Sequence, residues 1–265
     1  MTTPILEING VSKDFGGVKA LQCVDLVGLC GEVHGLIGPN GAGKSTLIGC
    51  ITGVNQIDKG EILFRGQRID RMSVHRRARL GIGRTFQKIR LAQQLTVFEN
   101  VAAALAARWF TGLSGYLHIF TSLSSNEIAD PVYAALEAVG IAELAREQVG
   151  SLPYGKRHFV ELARALVSRP EAILLDEPAT GLTDAEREAL TKLVRRIAAS
   201  GALVVLVEHD LELVGRLCDR VTVIEYGRRI FNGNPTDAQQ DPQVVRAYLG
   251  SSRFAREATN RVPAA

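Results

Sequence analysis

The chain has 265 residues, room for one large domain or two small ones, and 46% of them are apolar, which supports a sizeable core and excludes wholesale disorder. The formal net charge of +3 is too small to argue for a nucleic-acid partner. The opening Met1-Thr-Thr-Pro-Ile-Leu-Glu-Ile8 lacks a basic region and a long apolar core, so no signal peptide is expected. No run of about 18 uninterrupted apolar residues occurs; the nearest, Val101 to Phe120, is broken by Arg108, Gly112 and Gly115. A cytoplasmic chain that does not itself span a membrane is expected. Cys23, Cys30, Cys50 and Cys218 show no metal-ligand spacing and are expected to be buried, reduced thiols.

In chain order, residues 5–35 carry short apolar or alternating runs broken by glycine, Ile5-Leu-Glu-Ile8 and Ala20 to Leu26 among them, which predict strands joined by tight turns. Phe15, ahead of Gly16-Gly17, is placed either to stack on a base or to pack in a turn. Val33 to Ile37 predicts a strand and Thr46 to Cys50 a helix. Between them runs Gly38-Pro-Asn-Gly-Ala-Gly-Lys-Ser-Thr46, which fits the phosphate-binding loop pattern. Gly38, Gly41 and Gly43 let the backbone curl so that N–H groups face phosphate oxygens. Lys44 brings a full positive charge to the β- and γ-phosphates, and the Ser45 hydroxyl is a ligand for Mg²⁺. The helix that follows presents its N-terminus to an anion.

Glu61 to Phe64, between Gly60 and Gly66, predicts a hairpin strand. Gln87 in Gly83-Arg-Thr-Phe-Gln87 carries an amide able to touch both metal and water, although a lone glutamine is usually a surface residue. Residues 94–150 turn rich in alanine and leucine, with Val132, Leu136 and Val139 at helical spacing. Thr111 to Ser125 reads as a loop-containing insertion between helices. Leu152-Pro-Tyr-Gly-Lys156 opens a helix marked by Phe159, Leu162, Ala163 and Leu166, and its glycine sits at the helix mouth. Ala172 to Leu175 predicts a buried strand ending in Asp176 and Glu177. Adjacent carboxylates beside a core are costly unless used or solvated. They read either as Asp176 in a Mg²⁺ shell with Glu177 on the attacking water, or as a solvated strand end before a Pro178 turn. An amphipathic helix over 186–200, with Leu190, Leu193, Val194 and Ile197 on one face, leads to a second buried strand over 202–207 and to His209. That order implies a right-handed parallel crossover, with sites at the carboxyl ends of the strands. His209 is either an ordinary strand-end histidine or a γ-phosphate sensor. His34, His75, His118 and His158 share no spacing and are expected to be structural or exposed. The tail beyond Gly250 is polar and alanine-rich and is expected to fray.

Phe15, the loop at 38–46, Gln87, Leu152 to Lys156, Ile173-Leu-Leu-Asp-Glu-Pro178, Gly181-Leu-Thr-Asp184 and His209, in that order, resemble the nucleotide-binding subunit of ABC transporters across nearly the whole chain. The likeness is closer to the ATPases of branched-chain amino-acid uptake systems. It is carried by Arg84 to Gln87, Leu95-Thr-Val-Phe-Glu-Asn-Val101, the insertion after it, Val207-Glu-His-Asp210, Gly233 to Thr236 and Val245-Arg-Ala-Tyr-Leu-Gly250.

The resemblance implies an α/β fold: a P-loop NTPase core with a mainly parallel sheet, a small antiparallel β-subdomain and an inserted α-helical subdomain. One nucleotide-binding domain would span residues 4–250, its core about 4–87 and 168–250 and its helical part about 88–167, followed by a tail at 251–265. ATP contacts fall to Phe15, Gly38, Asn40, Gly41, Gly43, Lys44, Ser45 and Thr46. Mg²⁺ falls to Ser45, Gln87 and Asp176, and catalysis to Glu177, His209 and Lys44. Pro153, Tyr154, Gly155 and Lys156 would form the signature acting on a second subunit's nucleotide. The implied partners are two transmembrane permease subunits docking near Gln87 and residues 88–100, a second ABC ATPase (a paralogue or a copy of this chain) and, indirectly, an extracytoplasmic solute-binding protein. The implied place is the cytoplasmic face of the membrane, and no nucleic acid is involved. The chain departs from the common pattern at Pro153, Tyr154 and Lys156 and again at Gly181 to Asp184. Proline offers a γ-phosphate neither hydroxyl nor N–H, so the Gly155 N–H and the helix N-terminus remain.

Overall fold

The structure, a computed structural model, describes residues 4–85, 89–109 and 126–249. Gln87, the whole of the expected insertion at 111–125 with His118, and the tail after Gly250 lie outside the described residues. The chain divides into two compact units, Met1–Arg71 with Val205–Ala265, and Met72–Val204.

The first unit opens with β1 (Pro4–Phe15) and β2 (Val18–Leu29), paired antiparallel around the Gly16-Gly17 turn. β4 (Lys59–Phe64) adds to the free side of β1, and β5 (Gln67–Arg68) follows through a tight turn, giving the order β2-β1-β4-β5. The Glu61 to Phe64 expectation lies in β4. Leu6, Ile8, Val11, Ile62 and Phe64 are buried on this sheet. Alternation along a strand sends such residues to one face.

β3 (Val33–Ile37) is buried at every position and runs parallel to β9 (Arg220–Glu225), which pairs antiparallel with β10 (Arg228–Gly233). An uninterrupted apolar strand is what burial on both faces selects. His34 fits because both ring nitrogens are engaged, by Glu32 at 3.0 Å and by the Thr222 hydroxyl at 2.9 Å. This is the structural role expected of it. α1 (Lys44–Thr52) follows the loop after β3 and buries Leu47, Ile48, Cys50 and Ile51. α7 (Leu211–Leu217), capped by the Asp210 carboxylate, leads into β9. α8 (Pro235–Gln240) and α9 (Pro242–Leu249) follow β10 and pack beside it.

In the second unit, β6 (Ile82–Arg84) runs parallel to β7 (Ala172–Asp176), and α2 (Val74–Leu80) precedes β6. α3 (Val97–Trp109), α4 (Asn126–Val139) and α5 (Tyr154–Leu166) pack on one another. The stripe expected at Val132, Leu136 and Val139 is buried, joined by Ile128 and Ala135. α5 buries Phe159, Leu162 and Ala163, while Leu166 stays half-buried. α6 (Asp184–Ala199) buries Leu190, Leu193, Val194 and Ile197 as expected. It opens on a capping box: the Thr183 hydroxyl accepts from the Glu186 N–H, and the Glu186 carboxylate accepts from the Thr183 N–H. Such a cap contributes about 1 kcal/mol. β8 (Leu203–Val207), buried throughout, carries the chain from the second unit back into the first.

The cysteine expectation needs correction. All four thiols are free, but only Cys50 and Cys218 are buried, and Cys23 and Cys30 are exposed. Cys23 lies on the sheet-edge strand β2 with φ 53, where the β1–β2 register is irregular, and Cys30 follows the last residue of β2. Neither position faces a core.

Candidate functional site

The chemistry-bearing residues fall in both units. In the first, β3 delivers the chain at Gly38 into a loop whose three framework glycines have φ values of 147°, 78° and 106° at Gly38, Gly41 and Gly43. L side chains rarely adopt that conformation. At two positions space closes the case as well. A Cβ on Gly38 would run into the Ile224 carbonyl, and one on Gly43 would lie 2.5 Å from the Ala20 carbonyl oxygen. The loop is thus pressed against β9 and β2. The β9–β10 turn braces it from behind, with the Gly227 N–H donating to the Ala42 carbonyl at 2.9 Å.

Lys44, 7% exposed, lies back across this loop, its Nζ donating to the Gly38 carbonyl at 2.6 Å and the Pro39 carbonyl at 2.9 Å. Both of these carbonyls belong to the loop itself, so they keep the ammonium against it. Asn40, Gly41 and Ser45 are exposed and Thr46 is half-buried. α1 has no acidic side chain in its first turn to compete for its N-terminal N–H groups. Phe15 ends β1 47% exposed, with the Lys13 ammonium 5.1 Å from its ring centroid. His209 follows β8 with its side chain 46% exposed, and its N–H donates to the Glu208 carboxylate at 3.3 Å.

In the second unit, β7 ends in Asp176, 4% exposed. Its N–H donates to the Thr85 hydroxyl at 3.3 Å, and its Oδ2 lies 3.5 Å from Arg84 Nη2. Burial pushes the Arg84 guanidinium below its usual range, and Asp176 draws it back up. β6 pairs residue for residue with β7, and Thr85 extends the ladder to the Leu174 carbonyl at 3.0 Å. The chain two residues before Gln87 is therefore anchored to the strand that carries Asp176. Glu177, half-buried, has φ 50°. A non-glycine in the left-handed region costs of order 1–3 kcal/mol and persists where surroundings enforce it. Sequence reasoning placed Arg84 and Thr85 beside Gln87 only as carriers of the likeness and gave neither a role at the site.

The signature opens α5 with Pro153 as its N-cap, at φ −57° and ψ 155°, without a side-chain cap. Gly155 is buried beneath the Glu186 carboxylate, which a Cβ there would strike. Hydrogen bonds from the Thr183 backbone and hydroxyl hold Glu186 below the usual carboxylate range, helped by Lys156 and His158. His158 is buried and hydrogen-bonded to the Pro178 backbone, and desolvation holds its pKa below the ordinary histidine value. Tyr154 is 51% exposed, and its ring covers Gly181, where a Cβ would sit 2.9 Å from Cε1. The two departures noted in the sequence, tyrosine at 154 and glycine at 181, are therefore one packing event. Among the described residues no cluster of three or more His, Cys, Asp or Glu side chains forms a metal cage, and no helix is long and apolar enough to cross a membrane.

A parallel strand that runs into a glycine-framed loop, folds a lysine over that loop and continues into a helix defines a phosphate-loop nucleotide-binding protein. The chain belongs to the ABC transporter family, whose model matches residues 21–180, and it is an ATP-hydrolysing cassette of that family. It is similar to the high-affinity branched-chain amino acid transport ATP-binding protein LivG of Escherichia coli strain K12, with 38% identity over 95% of this chain and 100% of the relative. BraF of Pseudomonas aeruginosa, named for the same transport, is 36% identical over 95% of this chain and 100% of its own. Among solved structures, the ADP conformation of an ATP-binding cassette of an ABC transporter superposes with a TM-score of 0.85 at 30% identity, covering 94% of this chain and 100% of that one.

Proposed function

We propose that the chain is the ATPase subunit of an ABC importer for branched-chain or related amino acids. The observation that carries this reading is the end-to-end likeness to LivG, over 100% of the relative's length at 38% identity. A likeness confined to the nucleotide loop would support only an ATP site.

In this reading Gly38, Asn40, Gly41, Gly43, Lys44, Ser45 and Thr46 hold the triphosphate, and Phe15 stacks on the adenine. Ser45, Gln87 and Asp176 are the residues that would hold the Mg²⁺ accompanying the nucleotide, and the ion would neutralise charge on the phosphates. The donor set is hard oxygen, as Mg²⁺ requires, and the buried Asp176 carboxylate, answered by Arg84, fits that demand. Glu177 accepts a proton from water as the water oxygen attacks the γ-phosphorus, and ADP leaves. His209 donates to the γ-phosphate. Pro153, Tyr154, Gly155 and Lys156 act on the nucleotide of a second ATPase subunit, so Pro153 affects that subunit's site and leaves this chain's own loop intact. Closure of the two ATPases on ATP drives two permease subunits, fed by a solute-binding protein, from the cytoplasmic face of the membrane.

Gentle detergent extraction of this chain from its native membranes is expected to recover two multi-span subunits and a second ATPase. Recovery of ribosomal or DNA-bound material without membrane subunits would overturn the transporter reading and leave the ATPase intact.

A further inference from the structure

Phe15, read above as the platform for adenine, stands at the tip of the β1–β2 hairpin with its ring exposed. A ring so placed needs something other than core packing to fix it, because a base stacks well only on a surface already in position. The chemistry above names no residue for that task.

Asp58 meets the hairpin there. It closes the short loop between α1 and β4, so it is tied through that loop to the helix that leaves the phosphate loop. Its N–H donates to the Ser12 carbonyl at 2.9 Å. Its carboxylate reaches the next two residues: Oδ1 accepts from Lys13 Nζ at 2.9 Å, and Oδ2 accepts from the Asp14 N–H at 2.6 Å. These two donors hold the Asp58 carboxyl below its ordinary range, so it is ionised at neutral pH. The Lys13 ammonium, so held, lies 5.1 Å from the centroid of the Phe15 ring, within cation–π reach. The Asp14 carboxylate then accepts from the Gly17 N–H at 2.7 Å and closes the turn beyond the ring. The three residues ahead of Phe15 are thus each bound to Asp58. The Asp58 side chain is 43% exposed, and an ion pair so exposed adds little to stability. What the arrangement fixes is the place of the ring.

We propose that Asp58 is a positioning residue for the nucleotide base: it ties the strand end that carries Phe15 to the loop leaving α1, and through Lys13 it sets the Phe15 ring for stacking. The proposal rests on the ATP reading and deepens it. The phosphate loop holds the triphosphate, and Asp58 governs how much the adenine adds to that affinity.

The test is titration calorimetry of the full chain with ATP and, separately, with inorganic tripolyphosphate, each with Mg²⁺. Tripolyphosphate offers the phosphates without the base. Phe15→Ala tests the stacking reading by itself: it is expected to weaken ATP and leave tripolyphosphate unchanged, and an unchanged ATP affinity would remove both that reading and the proposal that rests on it. Asp58→Ala is expected to weaken ATP roughly three- to tenfold while tripolyphosphate stays within about twofold of wild type. In a chain that already carries Phe15→Ala, the same Asp58→Ala change is expected to have little further effect on ATP, since no ring remains to be placed. With Phe15 shown to matter, the proposal is overturned if Asp58→Ala leaves ATP affinity unchanged, weakens both ligands alike, or weakens ATP equally with and without Phe15, whatever happens to the melting temperature.

Discussion

Glu177→Gln keeps ATP affinity within about twofold of wild type while hydrolysis falls by roughly two to four orders of magnitude, the range of a lost general base. The substitution preserves shape and hydrogen-bonding reach and removes only the capacity to accept a proton. Residue 177 sits immediately after the buried Asp176, at φ 50°. Glutamine inherits that backbone without relief or new strain, so any change reports on the carboxylate. Nucleotide binding and single-turnover hydrolysis, measured on the same preparation, separate the two effects. Turnover near wild type would move the base to another residue.

Lys44→Ala acts at the other end of the cycle. The ammonium is held by the Gly38 and Pro39 carbonyls at 2.6 and 2.9 Å, inside a loop with no competing carboxylate in the adjoining helical turn. Its removal deletes a charge-assisted contact to phosphate and leaves two carbonyls turned toward the place where anionic oxygens bind. Each hydrogen bond to a charged group is worth about 1.5–3 kcal/mol, so affinity for ATP is expected to fall roughly 10- to 100-fold. The nucleotide-free melting temperature should change little, because the carbonyls then reach water. Titration calorimetry reads the first quantity and a thermal scan the second. Retained affinity would remove Lys44 from phosphate binding.

What the sequence made legible was local. The strand, loop and helix from Val33 to Thr52 could be read because their residue types answer to backbone geometry within a few positions, and all three framework glycines take positive φ. The stripes of α4 and α6 were legible for the same reason, since helical period is a short-range signal. Pairings across the chain carry no such signal. Arg84 with Asp176 and His34 with Thr222 join residues that only tertiary folding brings together. Tyr154 and Gly181 make the point most plainly. Each departs by itself from a familiar pattern, but the ring of one covers the missing side chain of the other. The exposed Cys23 and Cys30 show the converse failure, because residue type predicted burial and strand position decided against it.

The central claim is that ATP hydrolysis by this chain drives amino-acid uptake. The direct measurement is accumulation of radiolabelled leucine in proteoliposomes that hold this chain with the permease and second ATPase subunits proposed for it, with the proposed binding protein outside and ATP with Mg²⁺ at the ATPase face. The account predicts accumulation that requires ATP and that is lost when this chain carries Glu177→Gln. Hydrolysis without accumulation of leucine, isoleucine or valine would contradict the assigned cargo. Accumulation that persists with Glu177→Gln would contradict the assigned engine.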